Sequence, residues 1–552
     1  MLAAEPAPVA APTAHEDTFA RDHLPPPDQW PVLDLSGVPH LAGRARINAA
    51  EEFLDAMCAA GHADRPALLA PGVRWTYAEL TERANRIAGV LQGAGLVPGN
   101  RVLLRGYNSP LTFAAWFGVL KAGGIVVATM PLLRARELTA IIAKAQVRFA
   151  LCDARLTEEM DAAAAESPSL ETTLVFGSGA ADSLERRMEL ASADFANVPT
   201  SAEDVALIAF TSGTTGQPKG TMHVHRDLLA SADTFSAHVL RPDADDVFCG
   251  SPPLAFTFGL GGYVMFPMRV GAATVMLEQA SPPHLLQGIQ DFGATVCFTA
   301  PTAYRAMAGL AKDYDLRSLR KCVSAGEPLP AATFEAWRQA TGIGIIDGIG
   351  STEMLHIFIS SSGNDIRPGS TGRAVPGYRA RVVDDAGREV PTGHSGRLQV
   401  VGPTGCRYLA DPERQRAYVQ DGWNVTGDTY VVDAEGYFWY QARNDDMIIS
   451  AGYNIAGPEV ENCLLEHPAV LECAVVAAPD PERGNVVKAF VVLREGWTGD
   501  DGLVKTLQDW AKQKIAPYKY PRRIEFVASL PRTQTGKLQR FRLRQQEGTA
   551  AT

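Results

Sequence analysis

The apolar run Val205–Phe210 leads without interruption into Thr211-Ser212-Gly213-Thr214-Thr215-Gly216-Gln217-Pro218-Lys219-Gly220. An unbroken apolar run of this length reads as a buried strand. The segment that follows it has three glycines, which permit positive φ and close backbone approach. Four hydroxyl side chains add hydrogen-bond donors, and one lysine adds charge. A strand running into such a loop suits a polyphosphate. The loop is not a Walker A motif, because Pro218 precedes the lysine where that motif has glycine.

The rest of the chain supplies the architecture for that strand. Thr76 with Glu79 forms a capping box, and Leu80, Ala84, Ile87 and Leu91 follow at helical spacing. Arg101–Arg105 reads as a strand, Ser109-Pro110 opens a helix, and Ile125–Ala128 is a buried strand. The alternation recurs at Leu174–Phe176, Ala273–Leu277, Thr295–Thr299 and Leu319–Ser324. This predicts an α/β fold of doubly wound, mostly parallel sheets. Beyond about residue 370 the pattern turns strand-rich, a barrel-like portion with turns at Asp385-Ala386-Gly387 and Thr392-Gly393. From Asp445 to Thr552 a new order of helix and strand suggests a small α+β domain. The division expected is a loosely ordered leader over 1–28, a large N-terminal domain over 29–444 and a C-terminal domain over 445–552. At 552 residues the chain is too long for one core.

Composition narrows the function. A net charge of −11 disfavours nucleic acid and anionic membrane as partners. No apolar stretch reaches the roughly 18 residues that a spanning helix needs. The acidic, Ala- and Pro-rich start does not read as a signal peptide. Eight scattered cysteines without a C-x-x-C pair point to neither a disulfide framework nor a zinc site, so a cytoplasmic protein is expected.

Further motifs follow the loop in order. Gly326-Glu327-Pro328 ends a strand, and Gly350-Ser351-Thr352-Glu353 offers a carboxylate that suits Mg²⁺ beside a phosphate loop. Thr426-Gly427-Asp428 offers a carboxylate able to accept two hydrogen bonds from a diol. Arg443-Asn444-Asp445-Asp446, Gly452-Tyr453-Asn454-Ile455 and Pro531-Arg532-Thr533-Gln534-Thr535-Gly536-Lys537 complete the series. From about Trp75 to Arg540 this ordered set resembles the adenylate-forming superfamily of acyl-CoA ligases, adenylation domains and luciferases.

The resemblance implies ATP, Mg²⁺ and CoA as the small molecules used, with an acyl-adenylate between two half-reactions. It implies that Thr211–Gly216 and Lys219 hold the phosphates and that Glu353 binds the metal with Thr352 near the α-phosphate. Gly326, Glu327 and Pro328 would line adenine, and Asp428 and Arg443 would take the ribose. Lys537 would bridge the acid and the α-phosphate, and Asp445 would be the hinge of a mobile C-terminal domain. Gly452 and Tyr453 would close over the pantetheine tunnel. Two departures stand out: Ile349 replaces a common aromatic residue, and Gly457 a frequent proline.

The segments Pro253–Gly261 and Asp347–His356 are most similar to those of benzoate- and 2-aminobenzoate-CoA ligases. Phe256, Phe258, Ala325, Ile349 and His356 are therefore the expected acid pocket, suited to a planar ring. An aryl-acid enzyme that loads a carrier-protein phosphopantetheine is the alternative, and a non-catalytic nucleotide-binding relative a third. A monomer and a homodimer are both compatible with the sequence.

Overall fold

The computed structural model describes residues 12–211, 218–443, 446–450, 453–480, 484–515, 517–532 and 538–549. Two large sheets dominate. The first has six strands in the order Thr172–Phe176, Phe149–Asp153, Arg101–Arg105, Ile125–Thr129, Val205–Thr211 and Lys219–Val224. All its neighbours run parallel except the last pair. The second has nine strands, with a parallel centre running from Ile345–Gly350 through Lys321–Ala325, Val296–Thr299, Val247–Gly250 and Ala273–Val275 to Pro66–Ala70. Strand ends of both sheets therefore deliver loops to a common region.

The helices form where the sequence places their signals. Thr76 accepts the Glu79 amide at 3.2 Å while the Glu79 carboxylate accepts the Thr76 amide at 2.8 Å, closing the capping box of Tyr77–Gly93. Ser109 caps Pro110–Lys121, a helix buried nearly all round because it lies between other layers. Phe113, Trp116 and Phe117 of that helix join Leu80, Ile87 and Leu91 in the main core.

After residue 370 comes a five-stranded antiparallel sheet built on Ser395–Val401 and Trp423–Val432. The C-terminal region has its own sheet, with Val470–Asp480 and Gly484–Leu493 antiparallel and Arg523–Phe526 parallel to the latter. Its separate core includes Val460, Leu464, Val475, Val487 and Leu507.

One expectation changes. The segment read as a loose leader is held down from Thr13 onward. Thr13 and the Ala14 amide donate to Asp204, the latter at 2.9 Å. Asp17 pairs with the buried Arg101 at 2.5 Å and accepts from Asn100 at 2.8 Å. These partners lie more than 80 residues away in sequence, so local composition carries no sign of them. All eight cysteines are free, and Cys297 and Cys322 sit on neighbouring central strands as core residues. Among the described residues no helix is long and apolar enough to cross a membrane.

Candidate active site

The phosphate loop begins and ends on paired strands. Thr211 faces Lys219 and Phe210 faces Gly220 in antiparallel register. Ser212, Gly213, Thr214, Thr215 and Gly216 lie outside the described residues. The other edge of the returning strand takes residues 407–409: Met222 N–H donates to the Arg407 carbonyl and Leu409 N–H to that of Gly220, both at 2.8 Å. This pairing carries Tyr408 to the loop's base, where its hydroxyl donates to Glu353 Oε1 at 2.7 Å. Burial first, then the charge of Glu353, pushes the Tyr408 hydroxyl far above its ordinary range, so it stays a protonated donor.

Thr352 and Glu353 occupy a tight turn after the strand Ile345–Gly350. The Thr352 carbonyl accepts Leu355 N–H at 3.2 Å and His223 Nε2–H at 2.7 Å. Met354 is fixed twice, its amide on Ser351 Oγ at 3.1 Å and its carbonyl on Thr404 Oγ1 at 2.8 Å. Leu355 takes a positive φ of 69° to complete the turn. Among the described residues no group of three or more metal-ligating side chains exists. A single carboxylate fits Mg²⁺, which is held by one or two carboxylates plus substrate phosphates.

The expected adenine residues follow a strand of the nine-stranded sheet, and the expected ribose residues lie in the five-stranded one. Gly326, at φ 90°, ends the strand Lys321–Ala325 and turns the chain into Glu327-Pro328. Asp428 and Arg443 stand opposite each other in one strand pair, Arg443 Nη1 being 3.9 Å from Asp428 Oδ1. A carboxyl that was not singled out by itself, Asp347, lies on the strand beside Ser324. Burial pushes it up to about 8 against the opposing Gly348 amide and Ser324 hydroxyl, and its Oδ1 has no hydrogen-bond partner.

Of the expected acid-pocket residues, Phe258 packs beside His356. The His356 ring lies 5.8 Å from that of Phe258 and 4.5 Å, edge-on, from that of Phe266. Phe235 and Phe298 approach at 5.6 and 6.5 Å. Burial lowers the imidazole to about 3, the Phe258 backbone opposing, so the ring is neutral at physiological pH. Neither ring nitrogen has a side-chain or backbone partner at hydrogen-bond geometry. Gly261 makes room for it: a Cβ there would stand 2.3 Å from the ring. Ala325 is buried, and Ile349, on the strand paired with it, is half-buried. Phe256 caps the short helix Thr257–Leu260. Sequence patterning missed Phe235, Phe266 and Phe298, which carry no local mark beyond being apolar.

From the C-terminal region, Lys537, Asp445 and Gly452 lie outside the described residues, and Tyr453 opens the strand Tyr453–Ala456. The chain on either side of residues 533–537 is paired, Arg532 bridging to Leu538 and Gln539 N–H donating to Pro531 O at 2.8 Å. Arg532 spans the two regions, 3.4 Å from Glu327 of the expected adenine segment and 2.9 Å from Glu472 of the C-terminal sheet. Asp446 pairs with Arg544 and Glu461 with Arg540, the latter at 2.7 Å.

Comparison with known proteins places this geometry. Residues 56–408 match the model of the AMP-binding enzyme family, and residues 459–537 match that of the AMP-binding enzyme C-terminal domain. The benzoate–CoA ligase of Thauera aromatica is 37% identical over 509 residues, which cover 90% of this chain and 96% of the relative. The crystal structure of the anthranilate CoA ligase AuaEII in complex with anthranoyl-AMP superposes with a TM-score of 0.88 at 37% identity, covering 92% and 98% of the two chains. A benzoate CoA ligase from Burkholderia xenovorans LB400 gives a TM-score of 0.83 at 32% identity, covering 90% and 100%.

Proposed function

The chain belongs to the AMP-binding enzyme family, and on that premise we propose that it is an aromatic carboxylate–CoA ligase of the benzoate or 2-aminobenzoate type. It is an AMP-forming acid–thiol ligase using ATP and CoA. The observation that carries the aromatic reading is the aromatic wall around His356, formed by the rings of Phe235, Phe258, Phe266 and Phe298 within 6.5 Å. Such walls stack on a planar ring and leave a long polar chain unsatisfied.

In the first half-reaction a carboxylate oxygen of the acid bonds to the α-phosphorus and the bond to pyrophosphate breaks. In the second the CoA thiolate attacks the acyl carbon and AMP departs. The chain's own residues position and stabilise charge. Thr211, Lys219 and the loop between them cradle the phosphates. Glu353, steadied by Tyr408, holds Mg²⁺, which when bound offsets phosphate charge, and Thr352 lies beside the α-phosphate. Gly326, Glu327 and Pro328 line the base, while Asp428 and Arg443 take the ribose hydroxyls. Lys537 bridges acid and phosphate. Asp445 is the hinge between the domains 29–444 and 445–552, and Gly452 and Tyr453 line the path of pantetheine. The enzyme works in the cytoplasm on free small molecules, as a monomer or homodimer.

ATP–pyrophosphate exchange across benzoate, 2-amino-, 2-hydroxy- and 4-hydroxybenzoate and medium-chain acids tests this reading. Exchange with benzoates is expected, and exchange with aliphatic acids alone would sink it. Thioester formation on added CoA separates the ligase from an enzyme that loads a carrier protein.

A further inference from the structure

A group of ionisable side chains sits behind the Glu353 turn, wholly enclosed and with no part in the chemistry set out above. His223 and Asp227 are 0% exposed and Arg407 is 1% exposed. Arg407 Nη1 donates to Asp227 Oδ2 at 2.9 Å, and the same oxygen accepts the Val224 amide at 3.2 Å. His223 Nδ1 lies 3.6 Å from that oxygen, an electrostatic contact longer than a hydrogen bond. At its other end His223 Nε2 is 2.7 Å from the Thr352 carbonyl. A carbonyl only accepts, so Nε2 carries a proton. Arg407 Cζ also lies 5.3 Å from the centroid of the Trp30 ring.

Buried ion pairs rarely add net stability over apolar replacements of the same volume, so this one invites another explanation. Its geometry supplies one. The turn it supports includes a leucine at φ 69°, which costs free energy and persists only where neighbours over-determine it. His223 grips the carbonyl of Thr352, the residue directly before Glu353. Arg407 directly precedes Tyr408, the residue that holds the Glu353 carboxylate. One buried set therefore touches both supports of a single carboxylate, from the main-chain side and from the side-chain side.

We propose that Arg407, Asp227 and His223 are positioning residues that aim the Glu353 carboxylate at the metal of the bound nucleotide. The inference rests on the reading of Glu353 as the Mg²⁺ ligand. Residues that orient metal ligands commonly change metal affinity by about 10- to 100-fold when removed. His223→Ala and the double variant Asp227→Leu/Arg407→Met are expected to weaken Mg²⁺-dependent ATP binding by about 10-fold. Metal-free ATP binding is expected to stay near wild type. His223→Gln, which keeps an N–H donor, is expected to recover most of the loss.

The test is calorimetric titration of the full chain with ATP at stepped Mg²⁺ concentrations, with Tm recorded for each variant. The double variant matters because removing both charges spares the fold the burden of one unpaired ion. Glu353→Gln is the reference. If it leaves the Mg²⁺ dependence unchanged, the metal-ligand reading fails and the inference with it. If it weakens binding while His223→Ala and the double variant do not, the positioning role alone is overturned. Equal weakening of ATP binding with and without metal, or a fall in Tm that His223→Gln repairs without restoring the Mg²⁺ dependence, would reduce the set to a structural one.

Discussion

A carboxyl taken largely out of water gives up its proton reluctantly, and Asp347 is such a group. Burial lifts it from 3.8 to about 8 in the folded chain. Because the folded value is the higher one, its contribution to stability is complete below about pH 4 and is lost as pH rises towards 8. Asp347→Asn should therefore flatten the fall in Tm between pH 4 and 8. An unchanged slope would remove Asp347 from the account. A second residue-scale expectation concerns Lys537. Lys537→Ala should slow acyl-adenylate formation by about 100- to 1,000-fold, as for the loss of one preorganised charge-stabilising donor. It should spare thioester formation from supplied acyl-adenylate; equal loss in both steps would refute the assignment.

At the scale of elements, Thr257–Leu260 and the π-helical turn Gly261–Met265 bring Phe258 and Gly261 against His356, the wall of the proposed acid recess. Gly261 is the contact point, with His356 2.3 Å from where a Cβ would stand. Gly261→Ala must displace the imidazole or the helix, at a cost of about 1–3 kcal/mol for overpacking. The KM for the aromatic acid should rise while that for ATP holds; parallel changes in both would mean the recess lies elsewhere. The elements themselves were legible in the sequence, because capping boxes, prolines at first turns and apolar runs are local signals. The Thr211–Gly220 segment was legible for the same reason, its glycines and hydroxyls being consecutive. Tyr408 and Glu353 are 55 residues apart, and Arg407 and Asp227 are 180 apart. Such pairs exist only once strands have been paired, so neither periodicity nor composition reveals them. The order of the nine-stranded sheet, where Val247–Gly250 lies between Val296–Thr299 and Ala273–Val275, is hidden for the same reason.

At the scale of the whole molecule, two half-reactions need different groups at one phosphorus and one acyl carbon. The C-terminal sheet has its own core, and polar contacts join that region to the rest of the chain. Among these are Arg532 on Glu327 and Arg305 Nη2 on the Val470 carbonyl, both at 3.4 Å. Contacts of this kind at partly exposed positions are worth about 0–1 kcal/mol each. Arg532 directly precedes residues 533–537 in sequence, and it contacts Glu327 of the expected adenine segment. On the roles proposed above, Lys537 leaves before the second step, and rotation at Asp445 is the means proposed. Proline at 445 fixes φ and restricts residue 444 as well. Asp445→Pro should therefore retain ATP–pyrophosphate exchange while thioester turnover from acid, ATP and CoA falls by at least about 10-fold, the scale of change when a gating motion is blocked. Unimpaired thioester turnover in that variant would place the pivot elsewhere in the chain.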